Sequence, residues 1–209
     1  MNRRGFLAAA AALTIGAVIS HSSAQADAAG DPKALVQAFY DVLLDNMKQG
    51  DALGFDGRYQ KLQPVIRQTF DIPVMAKIAI GAEWTGFPAD KKAGLLEVFD
   101  RYMISTYAAR FDTEKGLKFE AGEGKVPAEN RQLVETKLLR PNGDPVSLNY
   151  LFRPSTDGTW KIIDIYLSGT ISEMARMRSD FSATVTGGGA DGLMKALEDK
   201  IVDIKAHPN

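Results

Sequence analysis

Four side chains in this sequence have the right types for acid–base chemistry: the carboxyls of Asp100 and Asp164 and the phenols of Tyr150 and Tyr166. A carboxylate base working with phenol donors could run an isomerase or dehydratase reaction on an apolar ring. The sequence gives that reading little support. There are 2 histidines, and neither falls in the part that builds a core. His21 lies in an N-terminal leader, and His207 lies in the polar tail Ala206-His207-Pro208-Asn209. The commonest general base and the commonest neutral metal ligand are therefore missing. With 0 cysteines, disulfides, thiolate nucleophiles and Cys-ligated metals are excluded. No Walker loop, dinucleotide fingerprint, zinc spacing or EF-hand is present, so no cofactor and no metal is expected. Gly187-Gly188-Gly189 has no strand leading into it and does not qualify as a phosphate loop.

The first 26 residues read as an export signal. Arg3-Arg4 precedes an apolar run from Gly5 to Ile19, then Ala24-Gln25-Ala26, the order of a secretory leader cut after Ala26. The apolar run falls short of the ~20 residues that span a bilayer. Arg3-Arg4-Gly5-Phe6-Leu7 matches the core of a twin-arginine signal, with Ala8 where a Lys is usual. An ordinary Sec signal with two arginines is the alternative. Residues 27–209 then form one domain, located in the periplasm. Removing Arg3 and Arg4 takes the 25 basic residues to 23 against 26 acidic ones, a net charge of about −3. The charges are interspersed, so neither nucleic acid nor an anionic membrane surface is an expected partner.

The elements that must position these side chains run in the order helices, strands, helices. Asp31-Pro32 opens a helix carrying Leu35, Phe39, Val42, Leu43 and Met47 at helical spacing. Gly50 to Gly57 reads as a polar loop, and Tyr59, Leu62, Val65, Ile66 and Phe70 form a second stripe. Asp71 caps a short helix that ends at Gly81, and a turn through Trp84 and Pro88 leads to a long helix ending near Phe111. The period then becomes two. Leu117–Glu120, Leu133–Arg140, Val146–Arg153 and Trp160–Leu167 read as strands, separated by Pro141-Asn142-Gly143-Asp144 and Ser155-Thr156-Asp157-Gly158 turns. On the last strand Ile163, Ile165 and Leu167 are the cleaner apolar side and are assigned inward, with Asp164 on the opposite face. Thr170-Ile171-Ser172-Glu173 has capping-box spacing, with Ile171, Met174, Met177, Arg178 and Phe181 along the helix it opens. The three glycines break that helix, and Asp191 caps the last one. The fold class is α+β: an antiparallel meander of about four strands wrapped on one face by helices, enclosing an apolar pocket.

Several segments taken in order resemble one family. They are Phe70-Asp71-Ile72-Pro73-Val74-Met75-Ala76, Ile80-Gly81-Ala82-Glu83-Trp84, and Phe99 with Tyr107-Ala108 and Phe111. Trp160-Lys161-Ile162-Ile163-Asp164-Ile165, Arg178-Ser179-Asp180-Phe181 and Gly189-Ala190-Asp191-Gly192-Leu193 follow. The series is similar to the MlaC-like, toluene-tolerance family of periplasmic lipid carriers, over about Asp31 to Ile204. Phe70-Asp71-Ile72-Pro73 and Leu138-Leu139-Arg140-Pro141-Asn142-Gly143 bring it nearest the hopanoid-associated HpnM branch. The resemblance implies an NTF2-like or MlaC-like fold and a carrier of a hopanoid or phospholipid; the protein is expected to act as a monomer. Its partners would be transport machinery at the inner or outer membrane, of the resistance-nodulation-division or ABC type.

Under that implication the ligand-binding residues are apolar. Phe70, Met75, Ile78, Phe99, Met103, Tyr107, Val134, Leu148, Tyr150, Phe152, Ile163 and Ile165 are assigned to the pocket, and Trp84 to its mouth. A lipid tail gains ~0.8 kcal/mol per CH₂ removed from water, and methionine adapts its shape to such a ligand. The bland alternative is that each of these residues fills core. Arg178 and Asp180 are either head-group or partner contacts, or plain helix-surface charge. A ligand-free adaptor acting by protein contact is the third reading.

Overall fold

The structure is a computed structural model and describes residues 30–207. The leader expected over residues 1–26 lies outside the described residues. Helix α1, Pro32–Lys48, starts where Asp31 accepts from the Lys33 N–H at 3.0 Å, with Pro32 supplying a preset φ. Val36, Phe39, Tyr40, Leu43 and Met47 form its buried stripe. Helix α2, Gly50–Thr69, follows after a single residue.

The polar loop expected over Gly50–Gly57 is therefore a correction. The chain stays helical there and breaks at one residue, Gly54, at φ 58° and ψ −175°, a region only glycine enters cheaply. A buried guanidinium secures this joint: Arg58 Nε donates to the Ala108 carbonyl at 2.7 Å and Nη1 to the Gly50 carbonyl at 3.0 Å.

Helix α3, Ile72–Ile80, is capped by Asp71, which accepts from the Val74 N–H at 3.2 Å. A 3₁₀ turn, Gly81–Gly86, leads to helix α4, Ala89–Arg110. Five antiparallel strands follow in a plain meander, β1-β2-β3-β4-β5: β1 Lys118–Lys125, β2 Gln132–Leu139, β3 Val146–Pro154, β4 Trp160–Leu167 and β5 Ile171–Ser172. Helix α5, Glu173–Ala206, closes the described chain and bends at Gly189, where φ is 60°. Its cap is Ser172, accepting from the Ala175 N–H at 3.0 Å, not Thr170, because Ile171 and Ser172 are drawn into β5. Ile171 is consequently exposed instead of lying on the apolar face of the helix.

The helices cover one face of the sheet. Val134, Tyr150, Phe152, Ile162 and Ile165 join Phe39, Phe70, Met75 and Phe99 in one apolar core. The register of β4 corrects the assignment of its faces. Leu151 pairs with Asp164 but Phe152 pairs with Ile162, so Ile163 is an extra bulged residue. The bulge resets the alternation: Ile162 and Ile165 both enter the core, while Ile163 is buried but outside that cluster. The α2–α3 joint is tied to the same strand, with the Asp71 N–H donating to the Ile162 carbonyl at 2.8 Å.

Candidate functional site

An apolar cavity of about 70 Å³ lies between the C-terminal half of α4, strands β3 and β4, and the start of α5. Met103, Thr106, Tyr107 and Arg110 come from α4 at spacings of three and four, hence from one helix face, and Phe111 follows as its C-cap. Leu148, Tyr150, Ile165 and Leu167 come from the inner face of the sheet, and Glu173 and Met177 from α5. Of the twelve residues assigned to the pocket from sequence, the structure brings five here: Met103, Tyr107, Leu148, Tyr150 and Ile165. Phe70, Met75, Phe99, Val134 and Phe152 are solid core beside the cavity. Ile78 is half-buried on α3, and Ile163 is displaced by the bulge. Trp84 does not line this cavity. It sits before α4, with Lys92 Nζ 6.0 Å from its ring, and α4 rises roughly 20 Å from there to Met103 at 1.5 Å per residue.

Aromatic side chains form the back wall. Tyr107 stacks on Phe111 at 5.6 Å and meets Phe39 edge-on at 5.5 Å, and Tyr40 meets Tyr150 edge-on at 5.9 Å. The Tyr40 hydroxyl lies 2.5 Å from Thr136 Oγ1, which donates to the Leu148 carbonyl. Burial pushes the Tyr40 phenol up to about 12, partly offset by that Thr136 bond. Burial likewise holds Tyr107 and Tyr150 well above the usual phenol range, reinforced by the charge each would feel from Tyr40. All three stay neutral at ordinary pH; Tyr107 and Tyr150 wall the cavity, and Tyr40 packs behind Tyr150.

The other acid–base candidates do not converge on this cavity. Asp164 is buried in a structural role: it accepts from Ser172 Oγ at 2.6 Å and from the Met174 N–H at 3.2 Å, fastening β4 to the start of α5. Asp100 is held by Arg67 at 2.6 Å. Tyr166 lines a groove on the opposite sheet face with Leu133 and Leu151. Arg178 Nε donates to the Ile78 carbonyl at 2.9 Å, tying α5 to α3, while Asp180 pairs with Arg176 at 2.6 Å along the exposed side of α5. Among the described residues no group of three or more His, Asp or Glu stands together as metal ligands, and no helix is long and apolar enough to cross a membrane.

Sequence reasoning missed Thr106, Arg110, Phe111, Leu167, Glu173 and Met177 as lining. Steps of three and four from Met103 would have found the first three. Glu173 reaches the cavity only through the packing of α5, and it is buried there with Arg176 donating to both its oxygens, at 2.5 and 3.0 Å.

No curated protein matches the chain. Its fold is similar to that of a solved phospholipid-binding protein from Ralstonia solanacearum in complex with a phospholipid. The TM-score is 0.72 at 22% identity, over 83% of this chain and 98% of that one. The family described as MlaC protein matches residues 37–199, well over half of the sequence, and the chain belongs to that family.

Proposed function

We propose that this protein is a periplasmic lipid carrier that shelters the apolar part of a phospholipid between α4, β3–β4 and α5 and hands it between membrane transport machineries. The observation that carries the reading is the cavity itself, walled by Met103, Met177, Phe111, Leu148, Ile165 and Leu167 and open at the end of α4. Its volume of about 70 Å³ is room for a few waters, well below the ~300 Å³ where small-molecule pockets begin. Loading therefore requires α4 and α5 to part from the sheet, which the flexible Met103 and Met177 side chains favour. The phospholipid complex of the Ralstonia protein supports the cargo, and the N-terminal leader pattern supports the compartment. A phospholipid cargo goes with an ABC-type transporter. The two phrases shared with the hopanoid-associated branch support a hopanoid and a transporter of the resistance-nodulation-division type.

The test is lipid extraction and intact-mass measurement of the protein purified from its native host. One lipid per protein supports the carrier, and its mass separates a two-chain phospholipid from a polycyclic hopanoid. Protein that is reproducibly empty and takes up no added lipid contradicts the reading.

A further inference from the structure

Two of the cavity-lining side chains carry charge, Arg110 and Glu173. They are not equivalent. Glu173 is buried, and its carboxylate is matched in both oxygens by Arg176. Arg110 is exposed at the last position of α4, and it takes part in none of the ion pairs found among the described residues. It stands one turn beyond Thr106 and Tyr107 on the helix face that walls the cavity. The site is thus polarised: methionine, leucine and aromatic side chains inside, and one uncompensated guanidinium at the rim.

We infer that Arg110 anchors the head-group of the cargo, its guanidinium pairing with phosphate oxygens of a lipid whose tail enters between Met103 and Met177. A planar fork of N–H donors matches a phosphate in two bonds, whereas an uncharged lipid gains nothing from it. Arg110 therefore sets selectivity for phosphate-bearing lipids. This inference rests on the lipid-carrier reading. A cation at the end of α4 also complements the helix carbonyls, and a role confined to that would change melting temperature without changing lipid choice.

The experiment offers the purified protein an equimolar mixture of dioleoylphosphatidylglycerol and dioleoylglycerol, which share their tails, and counts bound lipids by native mass spectrometry. The wild-type protein is expected to favour the phospholipid about tenfold. Arg110→Gln is expected to bring the ratio near one, and Arg110→Lys, which keeps the charge but not the fork, to retain part of it. A wild-type protein without preference, or an Arg110→Gln protein that keeps the wild-type ratio, overturns the inference while leaving the carrier intact. A protein that takes up neither lipid overturns the carrier reading, and the anchor with it.

Discussion

The two faces of the sheet each offer an apolar hollow, and they differ in what surrounds it. On the inner face the space is about 70 Å³, walled by the buried Tyr107, Tyr150, Ile165 and Met177. On the outer face a groove of about 450 Å³ runs over Leu133, Leu151 and Tyr166, all half-exposed, and is edged by Pro127 and Arg131. The outer hollow is larger, but it takes little from water. Apolar binding scales with the area removed from solvent, so enclosure counts for more than volume. The inner hollow is continuous with the core, and enlarging it only requires packed surfaces to separate. The lesson is that a carrier's pocket is a part of the core left incompletely filled.

The strongest way to break this comparison is truncation on each face. Phe152 is fully buried on the inner side, so Phe152→Ala is expected to cost roughly 3–5 kcal/mol in urea unfolding. Its neighbour Leu151 points outward and is half-exposed, so Leu151→Ala is expected to cost about 1 kcal/mol. Equal losses would mean that the outer face is covered in solution and the contrast is false.

Alkaline pH sharpens the same contrast. Tyr40 has its phenol raised from 10.0 to about 12 by burial. The folded state then keeps a proton that the unfolded chain loses, so this stability is complete below pH 10 and is lost as pH rises through about 12. About 2–3 kcal/mol disappears across that window from Tyr40 alone. Unfolding free energy measured between pH 8 and 11 should be flat at first and then decline. A Tyr40→Phe protein should show a shallower decline.

The smallest effect expected is on binding. Leu148→Trp fills the mouth of the inner cavity and should weaken lipid uptake about tenfold, at a packing cost of ~1–3 kcal/mol or less because the site is half-buried. Leu133→Trp in the outer groove should leave uptake unchanged. Vesicle-to-protein transfer of a labelled lipid reads both.

Much of the architecture was legible because periods of 3.6 and 2 survive in the sequence. The stripe of α1 and the turns around Asn142-Gly143 and Asp157-Gly158 appear where the residues place them. The failures have physical causes. Glycines at 50, 54 and 57 have the composition of a loop, yet packing and Arg58 keep the segment helical with one break. Ile162 and Ile163 are adjacent and equally apolar, so only strand pairing shows which one the bulge expels from the core. Arg110 and Glu173 carried no pocket signal in the sequence, because only the packing of α4 against the sheet and the start of α5 brings them to one cavity. The cavity was readable as a set of apolar side chains, while its depth and its charged rim were set by tertiary packing.

The measurement that bears most directly on the central claim is photo-crosslinking with a phospholipid carrying a diazirine near the end of one acyl chain, followed by peptide mapping. The account predicts labels on peptides containing Met103, Ile165 and Met177, which meet at the inner cavity. Labels confined to Leu133, Leu151 and Tyr166 would place the lipid on the outer groove and contradict it.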